Sequence, residues 1–313
     1  MGKPKVFIDG QEGTTGLQIH DRLTQRDDIE LLGIDPDKRK DATERKKRMD
    51  DADLVFFCLP DDAAREAAEL ADNGHTRIID ASTTHRTSSD WVYGFPELHG
   101  QRMSIAQASR VANPGCHATG FLAAAAPLVK MHILPPDYPL TCFSLTGYSG
   151  GGKKMIAQYE KGEKEAALFS PRLYSTNLQH KHLPEMTAVA GLDRPPVFCP
   201  VVDDYYEGMA TTLMLHNRYL KGQPAAEELS LILSAYYAGE QAVMVAPFRA
   251  EGDVLAANAF AGTDRLELTV SGDHDRTIVT ARFDNLGKGA SGAAVQNMNL
   301  MLGLGETTGL RLS

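Results

Sequence analysis

Apolar and polar positions in the first third of the chain alternate between two rhythms: short β-favouring runs, and longer stretches with helical spacing. "KVFID" reads as a strand and "GLQIHDRLTQR" as an amphipathic helix. The strand "IELLGI", a basic helix or loop, the strand "ADLVFFCLP", the helix "DDAAREAAELADNG" and the strand "TRIIDAS" follow. Strands separated by helices imply βαβ units, so this part is expected to be α/β, a Rossmann-type doubly wound parallel sheet with helices on both faces.

The rhythm changes after "RVANPGCHATGFLAAAA". "DYPLTCFSLTGYSG" is followed by the helix-like "KKMIAQYEKGEKEA", the polar "SPRLYSTNLQHKHLPE", the strand "PVFCPVVDDYYEGMATTLML", the helix "AAEELSLILSAYYAG" and a hairpin around "GDHD". Strand now follows strand through longer connections, which predicts an α+β domain with a mixed sheet and helices on one face. The last segment, "ASGAAVQNMNLMLGL", is an apolar, small-residue helix expected to pack back on the first domain. The expected organisation is therefore residues 1–115 as a nucleotide-type domain, 116–285 as the α+β domain, and a returning helix within 286–313.

Composition narrows the function classes. The chain has 313 residues, enough for two domains with separate cores, and its 42% hydrophobic and 23% charged content is that of an ordinary globular protein. A net charge of −9 disfavours nucleic acid or an anionic membrane as partner. No apolar run is long enough to span a bilayer and the start lacks a signal-peptide core, so a cytoplasmic location is expected. "ERKKR", Glu44 to Arg48, reads as a solvated helix face.

Between the first strand and helix lies "DGQEGTTG", with Gly10, Gly13 and Gly16 spaced G-x-x-G-x-x-G. Glycine permits a tight turn and close approach to a pyrophosphate seated on the helix start, so this loop is a dinucleotide-site candidate despite its departure from G-x-G-x-x-G. "GYSGGGKK", Gly147 to Lys154, matches a phosphate-binding P-loop except at its last position. Lys154 replaces the hydroxyl residue that should hold magnesium. A glycine-rich turn in which Lys153 meets a ligand is the preferred reading.

The four cysteines show no metal-type spacing. Cys58, Cys142 and Cys199 lie in apolar, β-favouring runs and read as small buried hydrophobes. Cys116 alone falls at a turn-to-helix junction, where unsatisfied N–H groups and the helix dipole favour a thiolate. A cysteine nucleophile needs a base. In "QHKHLPE", His180 and His182 would face one side if the segment is extended, and Glu185 is placed to orient one imidazole.

Together "GQEGTTG", "NPGCHATG", "LTGYSGGGK", "HKHLPE" and "DNLGKGASGAAVQNMN" resemble the N-acetyl-gamma-glutamyl-phosphate reductase family in its shorter form, over nearly the whole chain. The longer form has a P-H-L-x-P block where this chain reads "CPVVDDYYEGM", so substrate contacts there do not transfer. The resemblance implies an NADPH-dependent reduction of an acyl phosphate to an aldehyde in arginine biosynthesis, on a fold shared with aspartate-semialdehyde and glyceraldehyde-phosphate dehydrogenases. Cys116 would form a thioester, with His182, or His180 in reserve, as acid and base beside Glu185. The cofactor NADP(H) would meet Gly10, Gly13, Thr14, Thr15, Gly16, Lys38, Arg39, Pro60, Ser82, Gly150, Asn285 and Lys288. Arg86, Asn113, Ser149 and Lys153 would contact the small-molecule substrate, and a homo-oligomer, dimer or tetramer, is expected.

Cofactor choice stays divided at "GIDPDKRKD". Asp35 is placed to hold a ribose 2′-hydroxyl, as in NAD enzymes, whereas Lys38, Arg39 and Lys40 are placed to hold a 2′-phosphate. The other classes in play are an aspartate-semialdehyde-dehydrogenase-like reductase, a P-loop phosphotransferase and an inactive dinucleotide-binding regulator.

Overall fold

A computed structural model describes residues 2–250 and 252–313. The chain divides into two compact units, one of Met1–Pro96, Gly100–Pro114 and Ala290–Leu310, the other of Glu97–His99, Gly115–Gly289 and Arg311–Ser313.

The first unit has strands β1 (Lys5–Asp9), β2 (Glu30–Leu32), β3 (Leu54–Phe57), β4 (Arg77–Asp80), β5 (Val92–Tyr93) and β6 (Arg110–Ala112), and its helices include α1 (Thr14–Leu23), α2 (Ala42–Asp51), α3 (Asp61–Leu70) and α4 (Gln101–Gln107). The six strands form an all-parallel sheet in the order β2-β1-β3-β4-β6-β5. Central strands are apolar on both faces because both are covered. Val6, Ile8, Leu54 and Phe56 pack with Ile19 and Leu23 of α1, while Phe7, Val55 and Phe57 pack with Met49 of α2 and Ala67 of α3. Ala294, Val295, Met298 and Met301 join the first of these layers.

The second unit carries α5 (Cys116–Lys130), β7 (Thr141–Gly147), α6 (Gly152–Tyr159), β8 (Arg172–Leu173), α7 (Leu183–Ala190), β9 (Val197–Asp203), β10 (Met209–His216), α8 (Ala226–Tyr236), β11 (Val243–Val245), β12 (Leu266–Gly272) and β13 (Arg276–Phe283). α9 (Gly292–Met301) belongs to the first. Seven strands form a mixed sheet ordered β11-β12-β13-β10-β7-β9-β8. The helix α5 lies on this sheet with every residue from His117 to Val129 buried. Gly120 permits the close approach, since a Cβ there would stand 2.7 Å from Thr211 and from Phe283.

Several elements differ from the sequence expectation. The stretch read as one strand, "PVFCPVVDDYYEGMATTLML", is two: β9 and β10 part at a loop through Gly208 (φ +122), and β7 pairs between them, parallel to one and antiparallel to the other. The helix expected over "KKMIAQYEKGEKEA" ends at Tyr159. Gly162 lies three residues on, and glycine weakens a helix interior. The last helix begins at Gly292, after a π-helical turn over Gly287–Ser291. The hairpin at "GDHD" joins β12 to β13. "ERKKR" is helical within α2, but its face is not wholly solvated, because Arg45 pairs with buried Asp9 at 2.6 Å.

Candidate active site

The glycine turn is built from backbone alone. Gly13 N–H donates to Gly10 carbonyl at 3.1 Å and the first α1 bond runs from Leu17 N–H to Gly13 carbonyl. A Cβ at Gly10 would lie 2.4 Å from the Cys58 carbonyl oxygen, and one at Gly16 would lie 2.5 Å from the Gly10 carbonyl oxygen. Both glycines are therefore required by packing. A Cβ at Gly13 would make only ordinary contacts, 3.5 Å from the Cys58 carbonyl oxygen and 3.6 Å from that of Gly10, so packing does not demand glycine there. No side chain caps α1 and no acidic residue stands in its first turn, so the N–H groups at Thr14, Thr15 and Gly16 fit an anion such as a pyrophosphate.

Beyond β2, the Asp35 carboxylate accepts the Asp37 N–H at 3.0 Å, folding into its own turn. Arg39 forms an ion pair with Glu12 inside the glycine loop, which brings the guanidinium beside the turn. Lys38 instead reaches toward Glu44, at 3.9 Å. Pro60 is the exposed residue before α3. Ser82 is buried, its hydroxyl donating to Asp80 at 2.6 Å, while His85 bonds the same carboxylate at 2.7 Å and stacks on Trp91.

The nucleophile turn is clamped by side chains from distant sequence. Cys116 is half-buried at the first position of α5, with Gly115 as its N-cap. The Glu185 carboxylate, almost wholly buried, accepts the Gly115 N–H at 3.1 Å. Thr119 N–H makes the first intrahelical bond, to Gly115 carbonyl, which places Cys116 in the first turn, at the positive end of the helix dipole. Gly289 packs against the nucleophile, since a Cβ there would lie 3.1 Å from Cys116 Cβ.

Histidines crowd around this start. The segment with His180 and His182 is not extended; it is a turn in which His180 Nδ1 accepts the His182 N–H at 3.1 Å, and His182 is the residue before α7. The two rings nevertheless meet, with centroids 4.7 Å apart, and both lie against the His117 ring, at 5.3 and 5.8 Å. Burial pushes His117 well below its ordinary range, with His180 and Lys181 adding to the effect. Burial likewise raises the thiols of Cys58 and Cys142, which stay protonated and inert.

Other sequence-assigned residues have structural partners. Lys288 is buried and its ammonium meets both oxygens of Glu97, at 2.7 and 2.8 Å, so its charge is committed inside the second unit. Asn285 is buried too, donating to Ser149 Oγ and accepting the Gly208 N–H, which ties the Gly147 turn to the loop before β10. Gly150 sits in that turn, and Lys153 is exposed at the start of α6. Asn113 is a fastener: its N–H reaches Asp80 carbonyl, its side chain bonds Ala290 carbonyl and Asn297, and its carbonyl accepts from Arg86. Arg86 is buried and bonds the Ala81 carbonyl as well, which fixes its guanidinium plane.

Two family models match the chain: the NAD binding domain of semialdehyde dehydrogenase over residues 12–107 and its dimerisation domain over residues 116–285. An N-acetyl-gamma-glutamyl-phosphate reductase 2 of Nostoc is 48% identical over 99% of this chain and all of its own length. The Pseudomonas putida protein of that name is 47% identical, covering 97% and 98%, and the Brucella melitensis reductase 46%, covering 96% and 99%. The chain belongs to the N-acetyl-gamma-glutamyl-phosphate reductase family. Among solved structures, the fold is shared with aspartate semialdehyde dehydrogenase II of Vibrio cholerae, complexed with ASA (TM-score 0.73, 16% identity, 96% of this chain and 99% of that one). The aspartate semialdehyde dehydrogenase of Candida albicans with NADP has TM-score 0.69 at 15% identity, covering 96% and 99%. Among the described residues, no helix is long and apolar enough to cross a membrane.

In this member of the reductase family, sequence reading missed the polar groups behind the nucleophile. His117 bonds Ser144 Oγ through Nδ1 at 2.8 Å and the Tyr174 hydroxyl through Nε2 at 2.6 Å. Burial raises the Tyr174 phenol and the charge of nearby Cys116 raises it further, so it stays protonated. The adjacency of His117 to Cys116 was the available signal; nothing in "SPRLYSTN" marks Tyr174.

Proposed function

We propose that this chain catalyses the NADPH-dependent reductive dephosphorylation of N-acetyl-L-glutamyl 5-phosphate to N-acetyl-L-glutamate 5-semialdehyde, as a cytoplasmic homo-oligomer. One observation carries the reading beyond family membership: the half-buried Cys116 opens a helix whose first turn is tied down by Glu185 and ringed by His117, His180 and His182.

The Cys116 sulfur attacks the acyl carbon, forming a C–S bond as the C–O bond to phosphate breaks, and phosphate leaves. The N–H groups at the start of α5 hold the oxygen that becomes negative. The nicotinamide, when bound, supplies hydride to the thioester carbon. The resulting hemithioacetal oxyanion collapses to the aldehyde, breaking the C–S bond, and His182 protonates the departing sulfur.

The Gly10–Gly16 turn, with the uncapped N–H groups at the start of α1, seats the pyrophosphate, and Arg39, held beside that turn by Glu12, reads the 2′-phosphate with Lys38. Arg86, whose guanidinium is fixed by two backbone carbonyls, serves as an anion contact. The reaction run backwards tests the whole reading: N-acetylglutamate semialdehyde, phosphate and NADP should yield NADPH, and aspartate semialdehyde should not. Turnover of aspartate semialdehyde alone would reassign the substrate.

A further inference from the structure

The groups behind Cys116 form a single hydrogen-bonded chain whose inner end sets its direction. Thr211 Oγ1 lies 2.8 Å from Ser144 Oγ across the β7–β10 pair, and both residues are fully buried. Ser144 Oγ is the one hydrogen-bond partner of the Thr211 hydroxyl among the described residues. A buried hydroxyl proton without an acceptor is costly, so Thr211 donates to Ser144. Ser144 has one proton, and its remaining partner is His117 Nδ1, at 2.8 Å.

A neutral imidazole that accepts at Nδ1 carries its proton on Nε2. The ring is neutral because it is buried. His117 therefore donates to the Tyr174 oxygen at 2.6 Å. The phenol's own proton is left outside the chain. Had the order run the other way, Tyr174 would spend that proton on His117.

We propose that His117 is a positioning residue, locked as the Nε2–H tautomer by Thr211 and Ser144, which turns the Tyr174 hydroxyl into a hydrogen-bond donor toward the oxygen of the acyl group carried by Cys116. This rests on the thioester reading of the function. It gives the residue after the nucleophile a role distinct from that of His182: it sets which way a neighbouring proton points and takes no proton itself.

Nitrogen NMR of enzyme labelled with ¹⁵N-histidine, with His117 assigned by its loss in His117→Gln, reads the tautomer without any assay. A neutral ring with the proton on Nε2 is expected. A proton on Nδ1, or a cation at neutral pH, would overturn the proposal. Ser144→Ala should release the lock and give a mixture of tautomers; an unchanged ring would also overturn it.

Kinetics then tests the action through Tyr174. Tyr174→Phe should lower the turnover of N-acetylglutamate semialdehyde by roughly 10²-fold, the low end for one donor to an oxyanion, with little change in KM. Adding His117→Gln to Tyr174→Phe should cost nothing more, because the first residue acts through the second. Multiplying losses would mean His117 works independently and would sink the idea. If the unmodified enzyme does not turn over this aldehyde at all, the functional reading fails, while the tautomer measurement still decides the hydrogen-bond order.

Discussion

Two helix starts in this molecule are built alike and finished differently. Both α1 and α5 begin after a glycine N-cap, Gly13 and Gly115, with no side-chain cap and no acidic residue in the first turn. The α1 start is fixed by close glycine contacts, Gly16 on the Gly10 carbonyl and Gly10 on the Cys58 carbonyl just after β3, and a Cβ at Gly13 would meet the Cys58 and Gly10 carbonyl oxygens at 3.5 and 3.6 Å. The α5 start is held by Glu185, 70 residues away, and its neighbours His117, Ser144 and Thr211 are buried. A turn that must hold a large anion needs backbone N–H groups that no side chain caps, which a glycine-built helix start supplies. A turn that must hold one sulfur in one direction needs packed, satisfied polar groups, which only distant elements supply.

The sharpest break between the two sites is Cys116→Ala. Reduction should fall by at least roughly 10⁴-fold, as for removal of other covalent nucleophiles, while NADPH affinity measured by fluorescence stays within a few fold. Cys58→Ala, Cys142→Ala and Cys199→Ala should stay active. Substantial turnover by the Cys116 variant would end the thioester mechanism. Next in size, His182→Ala should lower turnover by roughly 10²-fold. Equal alkylation profiles of Cys116 against pH in this variant and the parent would show that His182 is not its partner.

On the other side of the comparison, the Lys38→Ala/Arg39→Ala double variant should raise KM for NADPH by about tenfold, or about 1.4 kcal/mol, the low end for losing charge-assisted phosphate contacts. The NADH constant should barely move. Arg39→Ala alone should carry most of the effect, since Arg39 and not Lys38 pairs within the glycine loop. No selective change would return the cofactor choice to Asp35.

The smallest effect is a pH dependence of stability that belongs to the α5 start. His117 titrates below its unfolded value of 6.5 because the buried ring resists charge, so the unfolded state binds the extra proton. Its contribution is present above pH 6.5 and is lost as pH falls below that value, with a slope of about 1.4 kcal/mol per pH unit. Urea unfolding at pH 7.0 and pH 5.5 should show His117→Gln losing less stability on acidification than the parent. Equal losses would mean that the ring accepts its proton in place.

Local pattern made much of this legible. Alternation of Val6 and Ile8 with Phe7, the helical spacing of "GLQIHDRLTQR" and the shift of rhythm after Ala126 are short-range signals, so the parallel sheet and the mixed sheet could both be expected from them. The glycine turn and Cys116 stood out for the same reason, because turn geometry and helix starts depend on adjacent residues.

Roles that depend on partners were a different matter. The resemblance assigns Lys288 and Asn285 to the cofactor, but no sequence signal joins Lys288 to Glu97, 191 residues away, or Asn285 to Ser149 and Gly208. Burial turns such polar groups toward whatever can satisfy them, and the partner is chosen by the sheet register and loop path. By itself, then, the sequence determined the two sheets, the glycine turn and the thiol at a helix start, all consequences of neighbouring residues. Only the tertiary structure decided which polar groups hold that thiol's turn in place, because Glu185, His117, Ser144, Thr211 and Tyr174 come together across elements with no local signal to join them.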